Sequence, residues 1–366
     1  MSIEHAPFAQ ALIHAVRAQD FGSTEDKLRG GKAVQAFPSI DLAVIAFDPK
    51  ATGRQTRWAN VLFSREHPQG VVGDIGAQAG SLRHLRFDCD HRDAKGDSIA
   101  WLPGADWSRM PWRTLQGDGP LRFVAPYPAS LIKLLVAVGV GLAVDAGRAA
   151  WPEALEPMLV VSDNDATDRC VALLHRVGMM DALNARLAQW GLATLQLNNT
   201  TPAGGWRNGD GAGVGQLHMT AWDTARLLWL LDAEAPPAPW LAASASASSS
   251  ASAPASAPLL SAATRDHLRA VLARQELNEI LSTGALRGVP GWVPGLPDAP
   301  AFAHKTGTTE NYASDAGIVR TAKTHYIVAV LSNLGLRYAP HEKCATTWRL
   351  PALGAQIHRL IEQAHP

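Results

Sequence analysis

Ser130 and Lys133 are the residues of this sequence whose types and spacing first suggest chemistry. They lie three positions apart, so a helix that begins at the serine carries both side chains on one face and brings a hydroxyl beside an amine. The unpaired N–H groups and the positive end of the dipole at a helix start favour an oxyanion formed during attack. The pair predicts a serine nucleophile with a lysine base, although such a short motif alone more often marks a helix cap beside a solvated lysine.

The sequence on both sides of this pair predicts a helix that begins at the serine. Pro126 and Pro128 precede it and cannot continue a helix backwards. Residues 134–144 show no polar face, which predicts a helix buried on all sides and too short to cross a membrane. Gly139 and Gly141 allow close neighbours along that helix. We therefore expect the serine and the lysine at the edge of a core, where a pocket can form.

Two further short motifs follow in the chain. Ser162-Asp163-Asn164 lies at the junction of two predicted helices, and His304-Lys305-Thr306-Gly307-Thr308 ends one strand-like run before another. The set S-x-x-K, S-D-N and K-T-G, in this order, resembles that of class A β-lactamases and penicillin-binding proteins. The resemblance covers roughly residue 37 to the end and is weakest between 64 and 118. It extends to four further runs: Leu259–Leu268, Leu286–Trp292, Ser314–Val319 and Thr220–Leu228.

The resemblance implies roles in acyl transfer for the first two motifs and for the lysine of the third. Ser130 would be the acylated nucleophile, and Lys133 its base or part of a proton relay. Ser162 would pass the proton to the leaving nitrogen, and Asn164 would hold the substrate amide. Lys305 would supply positive charge beside the leaving group and the substrate carboxylate. Burial and this second lysine would lower the pKa of the first, as a lysine base requires.

The remaining roles concern substrate binding. Thr306 and Thr308 would bind the substrate carboxylate, and the backbone N–H groups of Ser130 and Thr308 would form the oxyanion hole. Gly307 would let the substrate lie against its strand. Arg320, on the neighbouring strand, is a second candidate for an anion contact, which a solvated surface arginine explains equally well.

One feature departs from the class A pattern. Those enzymes hydrolyse the acyl-enzyme with a water that a glutamate of the omega loop activates, whereas no glutamate occurs here between residues 157 and 232. The loop offers Asn198, Asn199 and Asp210 instead. Since a positioned general base contributes roughly a hundred-fold to ten-thousand-fold, rapid turnover of the class A kind is in doubt while acylation is not.

Composition points to a small-molecule partner. The 366 residues contain 33 basic and 33 acidic side chains, so nothing suggests a nucleic acid or an anionic membrane surface. Cys89, Cys170 and Cys344 cannot all pair and lack metal spacing, which favours reduced core thiols. The histidines show no metal-binding spacing either, so we expect neither a metal nor another cofactor.

The element order predicts an α/β (α+β) protein, with an antiparallel sheet flanked by helices and an inserted all-helical domain. We expect an N-terminal helix and connection at 1–36, a sheet domain at 37–128 and 300–366, and a helical domain at 129–299. Residues 243–258, almost wholly Ser, Ala and Pro, should be a disordered insertion. The predicted helices are 1–20, 151–161, 165–177, 181–190, 220–231, 261–275 and 353–363, and the predicted strands are 42–47, 57–63, 82–87, 302–305, 316–320 and 326–331.

These observations favour a serine acyl-hydrolase that acts on a β-lactam or a related amide. A D-alanyl-D-alanine carboxypeptidase and an esterase or amidase for small substrates remain alternatives, as does a penicillin-binding sensor that acylates without turnover. The first twenty residues lack the basic and apolar regions of a signal peptide, so the expected compartment is the cytoplasm, or the periplasm if translation starts upstream.

Overall fold

The computed structural model describes residues 5–48, 56–89, 102, 104–109, 113–116, 119–206, 219–241 and 259–363. Its helices are α1 (Ala6–Arg17), α2 (Lys133–Asp145), α3 (Leu155–Val160), α4 (Asn164–Arg176), α5 (Met180–Gln189), α6 (Ala221–Leu231), α7 (Ala262–Leu272) and α8 (Arg349–Gln363). Its strands are β1 (Glu25–Asp26), β2 (Lys32–Ala33), β3 (Ile40–Phe47), β4 (Thr56–Phe63), β5 (Val71–Val72), β6 (Asp74–Ile75), β7 (Leu82–Arg83), β8 (Leu85–Cys89), β9 (Arg113–Gln116), β10 (Leu121–Val124), β11 (Phe302–Thr308), β12 (Ala313–Arg320) and β13 (His325–Ser332).

The main sheet has six strands in the order β11-β12-β13-β3-β4-β5, and every neighbouring pair is antiparallel. Both ends of the chain therefore build one sheet, and the helices α2 to α7 come between them in sequence, as predicted. The division into separate domains at the predicted boundaries stays a prediction. Within the described residues, no helix is both long and apolar enough to cross a membrane.

The two faces of the sheet are covered by different helices. On β3, Leu42 and Val44 share a core with α1 and α8, whereas Ala43 and Ile45 share a core with α2 and α6. This alternation follows from the two-residue period of a strand, and it explains why β3 is apolar at nearly every position. The N-terminal helix thus packs on the sheet, with its predicted apolar face buried: Phe8, Leu12 and Val16.

Helix α2 is buried on all sides, as its apolar sequence predicts. Every residue from Lys133 to Ala143 is buried. A Cβ on Gly139 would lie 2.8 Å from Leu174 Cδ1, and one on Gly141 would lie 2.8 Å from Thr264 Cγ2. The two glycines therefore let α4 and α7 pack closely against the second half of α2.

The start of α6 is joined to the sheet by a buried carboxylate. Asp41 on β3 is 1% exposed and accepts hydrogen bonds from the backbone N–H of Ala221, at 2.8 Å, and from Asn60 Nδ2, at 2.7 Å. Burial raises its pKa to about 6, although both hydrogen bonds oppose that shift and the nearby Asp223 adds to it. Helix α6 is therefore tethered to β3 at its first residue.

Most predicted elements are confirmed with shifted ends, and a few differ. The span 82–87 contains two short strands, β7 and β8, and the helix predicted at 151–161 is confined to Leu155–Val160. Cys170 and Cys344 are buried free thiols, as expected. The predicted insertion at 243–258 and the loop residue Asp210 lie outside the described residues.

Candidate active site

The serine of the first motif lies in a 3₁₀ turn, Ala129–Ile132, and helix α2 begins only at Lys133. The helix was predicted to begin at Ser130, so its first regular residue is three positions later. Ala129 has a φ of 50°, a left-handed conformation that is costly for a residue with a side chain. Ser130 itself is half-buried, and no side chain caps this turn. The strained turn presents the hydroxyl at the mouth of the buried helix instead of using it as a cap.

Lys133 is 2% exposed, and its amine is bound by the second motif. Nζ lies 2.5 Å from Ser162 O, 3.0 Å from Ser162 Oγ and 2.8 Å from Asn164 Oδ1. Three acceptors match the three N–H donors of an ammonium group. Among the described hydrogen bonds, none joins this amine to Ser130, so the expected serine–lysine contact is replaced by one between the first and second motifs.

The second motif forms the start of α4, and its three residues have separate tasks. Asp163 is the N-cap of the helix and accepts a hydrogen bond from Ala166 N at 2.6 Å. Ser162 has a φ of 59°, which places it outside the helix with its hydroxyl toward Lys133. Asn164 is the first helical residue. Helix capping therefore accounts for the aspartate, not for the serine or the asparagine that the resemblance singled out.

The third motif lies on β11, the edge strand of the sheet. Lys305 is fully buried, and its Nζ donates to Thr306 O at 2.9 Å. Thr306 is 2% exposed, whereas Thr308 is half-buried. The strand thus keeps its lysine inside the protein and offers Thr308 to the surface beside Ser130.

Gly307 is where β11 meets the turn that carries Ser130. A Cβ at this position would lie 2.4 Å from Pro128 O, 2.6 Å from Leu131 N and 2.6 Å from Ser314 Oγ. No other amino acid fits between the strand and the turn without a shift of the backbone. Contact with the turn that carries Ser130 thus explains why glycine is needed here, in addition to any contact with a substrate.

A pocket of about 220 Å³ opens between these elements. It brings together Ser130, Lys133, Asn164 and Thr308 of the predicted site. The other lining residues are Tyr127, Ala129, Ile132, Trp206 and Thr309. Of these, Tyr127 and Trp206 provide aromatic walls that the sequence reasoning did not identify. Tyr127 could have been identified from its position two residues before the turn that carries Ser130. No sequence pattern marks Trp206 as a pocket residue.

The two buried lysines have depressed pKa values. Burial lowers the pKa of Lys133 to about 8, against the opposing effect of Asp163 and Asp168. Burial lowers that of Lys305 to about 7, and the charge of Lys133 lowers it further, against Asp315 and Glu279. Both amines can therefore lose a proton near neutrality, which an exposed lysine cannot do.

Behind β11 lies a buried polar network. The His304 ring nitrogens lie 2.7 Å from Asp315 Oδ1 and 3.1 Å from Asn278 Oδ1, and Phe302 stacks on the ring with centroids 4.0 Å apart. Asp315 Oδ2 also accepts from Leu281 N at 3.1 Å. Both members of the His304–Asp315 pair are fully buried. The network holds β11 and β12 against the segment before them in sequence.

Arg320 does not lie with the residues that line the pocket. It is the last residue of β12, beyond Val319, which pairs with Phe302 at the opposite end of β11 from Thr308. Its guanidinium forms ion pairs with Asp232 and Glu234. We therefore leave it out of the proposed site. Of the loop residues named as candidates, Asn198 accepts from Asn184 Nδ2 at 3.1 Å, and neither it nor Asn199 lines the pocket.

Comparison with known proteins identifies one family. The sequence profile of the β-lactamase enzyme family matches residues 150–346, more than half of the chain. The matched region contains the second and third motifs and begins after Ser130 and Lys133. No curated protein matches the chain.

Solved structures show distant likenesses. A β-lactamase from Sphaerobacter thermophilus is 14% identical over 98% of this chain and 99% of its own, with a TM-score of 0.48. A representative of class A β-lactamases from Bacteroides cellulosilyticus is 14% identical over 97% of both chains, with a TM-score of 0.49. The protein PBP-A is 22% identical over 69% of this chain and 84% of its own, with a TM-score of 0.41.

Proposed function

The chain belongs to the β-lactamase enzyme family, and on that premise we propose that it is a serine acyl-hydrolase that cleaves a β-lactam or a related amide through an ester on Ser130. One observation carries the proposal: the pocket holds Ser130 together with Lys133, whose amine contacts Ser162 and Asn164. A nucleophile, a lysine of lowered pKa and a hydroxyl that can relay a proton are the groups that acyl transfer from an amide requires.

In the proposed acylation, Ser130 Oγ attacks the carbonyl carbon of the amide and its proton passes to the neutral amine of Lys133. The C–N bond then breaks, and the leaving nitrogen takes a proton that reaches it through the hydroxyl of Ser162. The 3.0 Å contact between Lys133 Nζ and Ser162 Oγ supports this route. Loss of one proton from the ammonium group frees the lone pair that the serine needs.

The depressed pKa of Lys133 makes this base available. With a pKa of about 8, roughly one amine in ten is neutral at pH 7. A lysine of ordinary pKa would have fewer than about one in a thousand neutral. Burial at the start of α2 therefore increases the population of the reactive form by about two orders of magnitude.

The remaining residues would bind and polarise the substrate. Thr308 and Thr306 would bind its carboxylate beside the charge of Lys305, and Asn164 would bind its amide. The backbone N–H groups of Ser130 and Thr308 would stabilise the oxyanion. Gly307 supports this geometry because its small size lets the strand approach the nucleophile turn.

A penicillin-binding sensor is the second candidate, and the absence of glutamate between residues 157 and 232 favours it. A D-alanyl-D-alanine carboxypeptidase and an esterase or amidase would use the same acylating residues. These candidates differ in the fate of the ester and in the leaving group. The identity of the substrate is therefore an experimental question.

Intact-protein mass spectrometry after mixing with benzylpenicillin tests the proposal, with Ser130→Ala as the control and a chromogenic cephalosporin to follow turnover. We expect an adduct of the mass of the penicillin on the wild type and none on the variant. A lasting adduct without turnover would identify the sensor. If neither an adduct nor turnover is seen, the β-lactam proposal is wrong, and D-alanyl-D-alanine peptides and small esters become the substrates to assay.

A further inference from the structure

Hydrolysis of an ester on Ser130 needs a group that removes a proton from water, and the family's loop glutamate is missing. Two described carboxylates act on the charge of Lys133: Asp163 and Asp168. Asp163 is engaged as the N-cap of α4 through Ala166 N. Asp168 is the remaining candidate.

Asp168 lies on the pocket side of α4. It follows Asn164 by four residues, and residues four apart occupy the same face of a helix, about 6 Å apart along its axis. Asn164 lines the pocket and accepts from Lys133 Nζ at 2.8 Å. Asp168 therefore lies one helical turn along α4 from Asn164, the residue that accepts from Lys133 Nζ.

The loop that lines the pocket passes directly over this carboxylate. A Cβ on Gly205 would lie 3.0 Å from Asp168 Oδ1 and 3.3 Å from Oδ2, and one on Gly204 would lie 2.4 Å from the backbone oxygen of Asp168. The next residue, Trp206, lines the pocket. Two consecutive glycines thus let the loop backbone lie close to Asp168 with no side chain of their own against the carboxylate.

The carboxylate has the properties of a base. It is half-buried, and within the described part of the chain no hydrogen bond or ion pair engages it. Burial raises its pKa, and the neighbouring charge of Asp165 raises it further, while Lys133 opposes the shift. A carboxylate with no partner and a raised proton affinity is suited to accept a proton from water.

We propose that Asp168 is the general base of deacylation and takes the place of the loop glutamate. The inference rests on the proposed function. A water oxygen bonds to the acyl carbon while the carboxylate accepts a proton from that water. The proton then passes from Asp168 to the amine of Lys133, which is neutral after acylation. The bond between the acyl carbon and Ser130 Oγ breaks as the ammonium group so formed protonates Oγ, which restores all three groups.

The test compares the lifetime of the penicilloyl-enzyme in the wild type, in Asp168→Asn and in Asp165→Asn. Asp165 is exposed on the same helix, so its variant makes the same chemical change at a surface position away from Gly204 and Gly205. We expect deacylation of Asp168→Asn to be roughly a hundred-fold to ten-thousand-fold slower, with acylation nearly unchanged. Hydroxylamine, a nucleophile that needs no base, should release the acyl group from this variant. At neutral pH, where Asp168 is ionised with or without the charge of Asp165, the Asp165→Asn variant should deacylate at nearly the wild-type rate.

Equal deacylation rates in the wild type and Asp168→Asn would overturn the inference and leave the proposed function standing. An adduct that never hydrolyses in the wild type would overturn it too, whereas failure of Ser130 to acylate would overturn both. If Asp168→Asn does not fold, the pH dependence of deacylation in the wild type decides. The rate should fall tenfold per pH unit below an apparent pKa above 3.8, with Lys133 and Asp165 as the charged groups that tune it. A rate independent of pH from 4 to 8 would rule Asp168 out.

Discussion

Ser314 and Pro128 are joined by a buried hydrogen bond: the Ser314 hydroxyl donates to the Pro128 carbonyl oxygen at 2.6 Å. The same hydroxyl lies 3.3 Å from Gly307 O. Ser314, on β12, thus holds Pro128, the residue before the turn that carries Ser130, against β11. Because the turn contains the strained Ala129, this contact is one of those that keep Ser130 in place.

Replacement of Ser314 by alanine should therefore slow acylation as well as destabilise the fold. We expect the free energy of unfolding to fall by roughly 1 kcal/mol, because Pro128 O loses the hydroxyl donor and keeps the backbone N–H of Leu131. The acylation rate constant should fall by about tenfold or more, since loss of alignment raises the barrier. Urea denaturation and stopped-flow acylation measure the two effects.

Ser332→Ala is the matched control for this prediction. The Ser332 hydroxyl donates to Ala313 O at 2.9 Å in the same sheet, away from the turn that carries Ser130. The Ser332→Ala variant should show a similar loss of stability with acylation nearly unchanged. Equal slowing in both variants would mean that Ser314 has no special role in positioning Ser130.

Gly307→Ala should nearly abolish acylation. The added methyl group would lie 2.4 Å from Pro128 O, so either the strand or the turn must move. We expect a loss of stability of roughly 1–3 kcal/mol from overpacking and a loss of acylation of at least about a hundred-fold. Gly22→Ala, whose Cβ would meet only Phe37 Cδ2 at 3.8 Å, should change neither. If Gly307→Ala is acylated at the wild-type rate, this explanation of the glycine is wrong.

The acylation rate of an anionic β-lactam should pass through a maximum between pH 7 and 8. Lys133 must be neutral to act as base, so the rate rises as the pH approaches its pKa of about 8. Lys305 must be charged to attract the carboxylate, so binding weakens as the pH rises through about 7. Stopped-flow measurements from pH 5 to 10 would show the profile.

An uncharged ester substrate provides the control for the two lysines. It needs no cation for binding, so its acylation should keep the rise on the acid side and lose the fall on the alkaline side. A fall that persists with the uncharged substrate would assign the alkaline limb to a group other than Lys305.

Asp41 should make the wild type less stable as the pH rises from 4 to 7. Its folded pKa of about 6 lies above the ordinary value of 3.8, so its contribution to stability is full below 3.8 and is lost as the pH rises through 6. The difference in unfolding free energy between wild type and Asp41→Asn should change by up to about 3 kcal/mol against the wild type. Urea titrations at pH 4 and pH 7 measure it, and a difference independent of pH would contradict the shift.

The sequence predicted those parts of the site whose signals are local. Helix α2, for example, is predicted by an uninterrupted apolar run. The three motifs are short and lie at element ends, so each could be recognised without knowledge of its neighbours. Their meeting in one pocket required the family resemblance, because no local pattern encodes a contact between residues 133 and 162.

Features that depend on strand register could not be predicted from the sequence. Arg320 belongs to a strand next to the Lys-Thr-Gly strand, yet the pairing of Lys305 with Ala316 puts it four residues away from the lysine along β12. Ser314 became significant only because the same pairing sets it opposite Gly307. In the sequence, nothing distinguishes Asp168 from the other polar residues of an amphipathic helix. Its contact with the loop at Gly204 and Gly205 depends on the three-dimensional fold.

The carboxylate of Asp41 has a consequence for how this protein can evolve. The loop that lines the pocket is held at Trp206 by its bridge to Thr200, and the helix that follows it is pinned to β3 through Ala221. These two anchors tie the loop and the helix to separate neighbours, so a change at one anchor need not move the other. A substitution of Asp41 during evolution would therefore release the start of α6 while the Thr200–Trp206 bridge beside the pocket stayed in place.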